Sequence, residues 1–543
     1  MTKYIVITGG VISGVGKGVA TASIGRILKE NGFSVTAIKI DPYINCDAGT
    51  MRPTEHGEVW VTGDGGEIDQ DLGNYERFLE QPIPKRNNIT TGQIYKTLIE
   101  KERRGDFLGE TVQFIPHVPD EIKNRIKEAS AGFDLALIEI GGTVGDYENI
   151  PFLFAMKSLE NEIGKINICY ALVTYLPVPS HISEMKTKPT QLAIKLLREE
   201  GIQPDFILCR GKQALDEPRK RKIEQYSNIL SDHIISMPDV TGDNTPNTLY
   251  VIPLDLEKEK LGDKLMKILG LNPKKTPDWS EWKSAVNRLV NPKKEISVGI
   301  VGKYLKIGDF QLIDSYISIH EAIKHASSKN DVKVNLVWIN APELEEPKAN
   351  ISRILSGIKG IIIPGGFGSS GVEGKIKAIT YCRENHVPFL GLCYGLQLAV
   401  IEFARNVCGL NGAHTTEIDP HTKYPVIDLL PEQENIMEKG GTMRLGEYPA
   451  ILTENSRVRE LYHNVGEISE RHRHRYEVNP LFHQILQEKG LVFSGMSPNG
   501  KLVEFIELPQ HKFFIGTQAH PEFKSSLLHP APLFDGFVES CLK

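Results

Sequence analysis

One stretch limits what this chain can fold into more than any other: Ile5 to Gly18, IVITGGVISGVGKG. An apolar run from Tyr4 to Ile7 stops at Thr8, and five glycines fall within the next ten positions, ending in Gly16-Lys17-Gly18. A helical pattern follows, with Ala20, Ile24, Ile27 and Leu28 on one face and Gly32 as its stop. Strand, glycine loop and helix are the context in which backbone N–H groups, a helix N-terminus and a lysine close around phosphate oxygens. The spacing departs from GxxxxGK[ST]. One extra residue separates Gly10 from Gly16, and Gly18 stands where Ser or Thr would help hold magnesium, so metal ligands are expected elsewhere. The competing reading is an ordinary glycine-rich turn.

At 543 residues the chain exceeds one core, and two or three domains are expected. Phe33–Asp41 reads as a second buried strand ending in Lys39 and Asp41, at the strand end where open parallel sheets gather ligands. Residues 55–78 (EHGEVWVTGDGGEIDQDLGNYERF) read as a long polar loop of the kind that is usually functional. Asp64, Glu67, Asp69 and Asp71 are its candidate magnesium ligands, and spacing does not choose among them. Asp134–Ile140 is another buried strand. It sets Glu139 beside GGTVGD, the Walker B arrangement of a carboxylate downstream of a phosphate loop. After a strand at Tyr170–Leu176, Lys186, Thr187, Lys188, Thr190 and Gln191 cluster at a helix entry and suit a second phosphate-bearing ligand. With a strand at Pro204–Arg210, the alternation to about residue 256 predicts a doubly wound parallel sheet.

Leu271–Glu295 has charge, three prolines and no strand pattern, with Trp279 and Trp282 as candidates to dock a short helix. It divides the chain into residues 1–270, a linker 271–295 and residues 296–543. The last part opens on a strand at 296–302, followed by strands at Val334–Ile339 and Gly360–Pro364, then Gly365-Gly366-Phe367-Gly368. A strand at Val387–Leu392 runs into Gly391-Leu392-Cys393-Tyr394-Gly395, and a helix is predicted at Leu396–Val407. G-x-C-x-G between strand and helix is a nucleophile elbow: glycines permit the turn, and the helix N-terminus favours a thiolate. A buried structural cysteine is the bland alternative. The nucleophile needs a base and the base an orienter. His520-Pro521-Glu522, after a strand at Lys512–Thr517, offers both, with His414, His472 and His474 as competitors. The run Arg471-His472-Arg473-His474-Arg475 reads as a solvated basic loop pairing with acids.

Composition excludes other classes. Lys and Arg total 63 against 69 Asp and Glu, a net charge of -6 with no long basic run, which gives nucleic-acid binding no support. Seven scattered cysteines without a CxxC pair suit reduced thiols in a cytoplasmic protein. No signal peptide is read at the N-terminus, and the longest apolar stretch, near Ile166–Val178, carries polar residues and Pro177, with Pro179 directly after it, so no membrane span is expected.

GGVISGVGKG, KIDPYIN, EHGEV, DLGNYERF, EIGGTVGD, KTKPTQ, PGGFG, GLCYGLQ, GGTMRLG, RHRHRYEVN and AHPEF together resemble the CTP synthase family, in family order and over nearly the whole chain. PGGFG and the cysteine elbow are shared with other class I glutamine amidotransferases; KTKPTQ and EIGGTVGD are far more specific. The resemblance implies two doubly wound α/β domains, an N-terminal P-loop-like amidoligase and a C-terminal class I glutamine amidotransferase. It implies that CTP is made from UTP, ATP and glutamine: ATP phosphorylates the uracil O4, and ammonia displaces the phosphate at C4. Ammonia would reach the first domain through a tunnel. Another glutamine-fed ATP ligase, of the cobyrinate amidase kind, would share the loop and the elbow but not KTKPTQ. A catalytically silent assembly subunit would not need the intact set of reactive residues.

By position, the resemblance assigns Gly14, Val15, Gly16, Lys17, Gly18 and Val19 to ATP, with Lys39, Asp71, Asp239 and Val240. Magnesium falls to Asp71 and Glu139, with no organic cofactor. UTP falls to Ser13, Lys186, Thr187, Lys188, Pro189, Thr190, Gln191 and Lys222, and the inhibitory product CTP to Asp146, Tyr147 and Glu148. Cys393, His520 and Glu522 match the triad. The N–H groups of Gly366 and Tyr394 match the oxyanion hole, with Gly395, Leu396 and Gln397 beside them, and Glu417 and Arg475 match the glutamine clamp. GTP is implied as allosteric activator without assigned residues, and a homotetramer, with filaments in some members, as the assembly. Tyr394 replaces the family's frequent leucine, and Tyr226 its frequent phenylalanine near the inhibitory nucleotide.

Overall fold

Uninterrupted aliphatic runs make the strands of the first sheet, as burial on both faces requires. The computed structural model describes residues 1–52, 57–181, 184–240, 247–303, 306–307, 310–311, 313–429 and 443–543. Glu55 and His56 of EHGEV, Ile182 and Ser183 just before KTKPTQ, and residues 440–442 of GGTMRLG lie outside the described residues. Two units form: Met1–Ala48 with Asp71–Val286, and Gly49–Gln70 with Asn287–Lys543.

In the first unit β1 (Lys3–Gly9), β2 (Val35–Asp41), β3 (Asn88–Thr90), β4 (Leu135–Ile140), β5 (Ile168–Tyr175), β6 (Phe206–Gly211) and β7 (Ile234–Pro238) form one sheet in the order β3-β2-β4-β1-β5-β6-β7. All its pairings are parallel. The order reverses beside β1, so the carboxyl ends of β1, β2 and β4 border a crevice. Helix α1 (Lys17–Glu30) buries Ala20, Ile24, Ile27 and Leu28 against this sheet, as its 3.6-residue spacing predicts. Residues 71–79 depart from the expected long loop. They form helix α2 (Asp71–Leu79), because Leu72, Tyr75, Phe78 and Leu79 fall on one buried face. Trp282, on the helix Ser280–Val290, docks as expected: its Nε1 donates to the Tyr250 carbonyl at 2.8 Å, and Arg26 lies over its ring at 4.5 Å.

The second unit holds a nine-stranded sheet. Its strands are β8 (Lys294–Gly302), β9 (Val332–Asn340), β10 (Gly360–Ile363), β11 (Phe389–Leu392), β12 (Arg444–Leu452), β13 (Glu467–His474), β14 (Val492–Met496), β15 (Val503–Glu507) and β16 (Phe514–Thr517). The order is β9-β8-β10-β11-β16-β15-β14-β12-β13. The first five strands in that order are mutually parallel and the last four continue antiparallel. Residues 49–70 belong to this unit and carry a short hairpin, Trp60–Val61 against Glu67–Ile68. Trp60 packs on Phe523 with ring centroids 4.9 Å apart, Arg471 Nη1 donates to the Val61 carbonyl at 3.0 Å, and Arg473 Nε meets Glu67 at 2.8 Å. The basic run is therefore no solvated loop. It lies largely in β13, with Arg471, His472 and His474 buried.

All seven cysteines are free thiols. Among the described residues no helix is long and apolar enough to cross a membrane.

Candidate active sites

In the first unit, the loop after β1 needs backbone that only glycine adopts freely. Gly16 caps α1 at φ 88°, and a Cβ there would meet Arg210 Nη1 at 3.2 Å. Lys17 Nζ turns back to donate to the Gly142 carbonyl at 2.5 Å, which joins the loop to the GGTVGD turn after β4. Burial lowers the Lys17 pKa, an effect opposed by Glu139. Arg210, at the end of β6, was not singled out from the sequence. It pairs with Asp239 at 2.5 Å and donates to the Gly14 carbonyl at 2.9 Å, tying Asp239 to the loop. Ser13 and Gly14 are exposed at the loop tip, whereas Val15, Gly18 and Val240 are buried and Val19 half-buried.

Lys39 gathers the carboxylates. Its Nζ bonds Asp71, meets Glu139 at 3.1 Å and lies 3.8 Å from Asp41. The Tyr75 hydroxyl donates to the other Glu139 oxygen. Burial pushes the Glu139 pKa up, Lys39 opposes that, and Asp71 adds to it, so a cation here favours the ionised form. Of the four loop acids, only Asp71 lies in this unit; Asp64 accepts from the Thr62 hydroxyl at 2.6 Å and Glu67 pairs with Arg473, both in the second unit. No group of three or more metal-ligating side chains occurs among the described residues. Two carboxylates with phosphate oxygens are nonetheless a usual magnesium environment, so the donor set fits.

The KTKPTQ run opens helix α3 (Lys188–Glu199), with Pro189 in its first turn. Thr187, Thr190 and Gln191 are buried, and the Thr190 hydroxyl bonds that of Thr174 at 3.0 Å. Lys186 meets Glu184 at 2.6 Å, and Arg219 reaches the same carboxylate at 3.5 Å. Hydrogen bonding to Lys186 lowers the Glu184 pKa, with smaller contributions from Arg219 and Lys222, so three cations share one exposed carboxylate. Asp146 accepts the Thr143 amide at 2.6 Å, and Tyr147, Glu148 and Tyr226 are exposed.

In the second unit, Cys393 sits between β11 and helix α5 (Tyr394–Asn406) with φ 51° and ψ -99°, a strained elbow conformation. Its amide donates to the Thr517 carbonyl at 2.7 Å. A Cβ on Gly395 would collide with the Ile363 carbonyl, so the turn requires glycine. The Tyr394 N–H, in the first turn of α5, has no intrahelical acceptor and is available to an oxyanion. Leu396 and Gln397 continue the buried face; Gln397 Nε2 donates to the Tyr476 carbonyl at 2.9 Å and to Gln518 at 3.3 Å. Gln518, which sequence reading missed, donates to Cys393 Sγ at 3.6 Å.

His520 Nδ1 lies 2.7 Å from Glu522 Oε1, and the ring stacks on Phe523 at 5.2 Å. Burial opposes charge on His520, but Glu522 and the Cys393 sulfur together raise its pKa to about 10. His472 and His474 bond each other at 3.0 Å, and burial holds both neutral; His414 lies instead 3.9 Å from Glu373. A cavity of 590 Å³ joins Gly366, Cys393, Glu417, Arg475 and His520. At its edge Glu417 Oε1 accepts the Gly368 amide at 2.8 Å, and burial raises the Glu417 pKa.

Residues 3–271 match the family model for the CTP synthase N-terminus, and residues 311–540 match that for class-I glutamine amidotransferase. A CTP synthase of Methanococcus maripaludis is 53% identical over 547 residues, covering 100% of both chains. One from Methanocaldococcus jannaschii is 53% identical, covering 99% of this chain and 98% of its own, and one from Pyrococcus furiosus is 51% identical over the same shares. Among solved structures, the glutaminase domain of Trypanosoma brucei CTPS with bound acivicin is 33% identical, with a TM-score of 0.42, covering 46% of this chain and 94% of that one.

Proposed function

The chain belongs to the CTP synthase family of ATP-using, glutamine-dependent ligases, and we propose that it aminates UTP by two chemistries, one in each unit. The observation that carries the reading is His520, 2.7 Å from Glu522, on the same cavity as a strained, helix-capping Cys393, with Glu417 and Arg475 in its lining. Glu417 and Arg475 clamp the glutamine amino and carboxylate groups. The Cys393 sulfur attacks the amide carbon, and the negative oxygen is held by the Gly366 and Tyr394 amides. His520 passes its proton to the departing nitrogen, ammonia leaves, and water then cleaves the thioester to release glutamate.

In the first unit, the loop Gly14–Val19 with Lys17 and Lys39 cradles ATP, and Arg210 positions Asp239 and Val240 at its adenine side. Asp71 and Glu139 would hold magnesium, which would supply neutralisation of the transferring phosphate charge. Ser13, Lys186–Gln191 and Lys222 bind the UTP triphosphate. The γ-phosphoryl group passes to the uracil O4, and ammonia bonds to C4 as the phosphate leaves. Phosphorylation is needed because oxide is a poor leaving group. Asp146, Tyr147 and Glu148 bind CTP as inhibitor, GTP activates, and the assembly is a homotetramer in the cytoplasm; the family supports these assignments.

The test is Cys393→Ala. Glutamine-dependent CTP synthesis should be almost completely lost, while synthesis from ammonium salts persists and rises with pH as free ammonia increases. Loss of both activities in a folded protein would refute two separable chemistries. Retained glutamine-dependent activity would show that Cys393 is not the nucleophile.

A further inference from the structure

Lys375, on helix α4 (Val372–Glu384), is fully buried, and its Nζ has no hydrogen-bond partner among the described residues. An amine left so is costly and tends to survive where it serves a site. It faces the Tyr394 ring, 5.3 Å from the centroid, within cation–π range. It also lies behind the glycine turn: a Cβ on Gly366 would stand 3.9 Å from this nitrogen. The Tyr394 hydroxyl in turn donates to the Gly368 carbonyl at 3.3 Å, while the Gly368 amide goes to Glu417. Lysine, phenol ring and turn form one continuous brace behind the amides assigned to the oxyanion.

We propose that Lys375 and the Tyr394 side chain are positioning residues for glutamine hydrolysis: the ammonium seats the phenol ring, and the hydroxyl seats the Gly365–Gly368 turn so that the Gly366 N–H meets the oxyanion. The inference rests on the Cys393 reading above. The ionisable groups around the brace are Lys303 after β8, Glu417, Glu373 at the head of α4, and the phenol itself. Burial, with Glu417 and Glu373, holds the phenol protonated. Burial first, then Lys303, brings the Lys375 pKa down to about 7, so the brace is charged in mildly acidic solution and neutral in mildly alkaline solution.

The experiment compares wild type with Lys375→Met in the full chain, measuring kcat/KM for glutamine from pH 6.5 to 8.5. Loss of a desolvated cation–π contact predicts about a tenfold deficit at pH 6.5, shrinking towards parity by pH 8.5. Ammonia-driven CTP formation should be unchanged at every pH, which confines the effect to glutamine hydrolysis, and an unchanged urea unfolding midpoint confirms folding. Tyr394→Phe keeps the ring and drops the hydroxyl; a deficit of a few fold is expected, with no loss of the wild-type pH dependence. A ratio between wild type and Lys375→Met that is flat across pH, or within twofold throughout, overturns the proposal. Glutamine-dependent activity in Cys393→Ala would overturn the underlying reading instead.

Discussion

Glu522→Gln keeps the shape beside His520 and removes one charge. The 2.7 Å contact with Nδ1 is charge-assisted and buried. Hydrogen bonds to charged groups contribute about 1.5–3 kcal/mol, and about 1.4 kcal/mol is a factor of ten. The glutamine-dependent kcat/KM should therefore fall by about ten- to a hundredfold. The pH profile should move as well. His520 holds its proton up to about 10, against an ordinary value of 6.5, with Glu522 the largest raising influence. Without that carboxylate the folded pKa drops towards 6.5. The alkaline limb of kcat/KM should then shift to lower pH by about one to two units. Stability follows the same sign. A raised histidine pKa stabilises the fold fully below 6.5, and that stabilisation is lost as pH rises towards 10. In Glu522→Gln the decline should begin at the same pH and end sooner, visible in urea titrations at pH 6, 8 and 10. CTP formation from ammonium salts provides the control. An unmoved alkaline limb, or an equal loss with ammonia, would refute the coupling of Glu522 to His520.

If, as proposed, phosphorylation precedes amination, Asp71→Asn and Glu139→Gln should each abolish CTP formation from both glutamine and ammonia; wild-type ammonia rates in either variant would remove it as an essential ligand. Lys186→Ala and Lys222→Ala should raise the UTP requirement by about one to two decades, from a lost charge-assisted contact, while basal glutaminase activity is retained; unchanged UTP saturation would remove these lysines from the site.

What could be read from the sequence was local. The aliphatic runs before Gly9, Asp41 and Ile140 became adjacent strands, and their polar ends converge at Lys39 and Glu139. The cysteine elbow was legible because strand, glycine and helix all lie within a few residues of Cys393. Helix α2 was hidden by its acids and glycine, which masked apolar positions 72, 75, 78 and 79. Residues acting across long separations left no signal. Arg210 reaches Gly14 across 196 positions, and Gln518 reaches Cys393 across 125. The basic run misled for the same reason, because the acids and carbonyls that justify its burial are far away in the chain.

The hairpin at residues 60–68 also bears on how this polypeptide matures and how it can be divided. Arg471 finds the Val61 carbonyl across 410 positions, and Arg473 finds Glu67 across 406. During synthesis the early segment emerges hundreds of residues before the strand that needs it, so β13 closes only near the end of translation, a contact of very high order. A fragment started at residue 296 would lack Trp60, Val61 and Glu67 and cost the buried Arg471 guanidinium its bond to the Val61 carbonyl. An excised C-terminal half should accordingly be less soluble and less active on glutamine than the same half supplied with a peptide of residues 49–70.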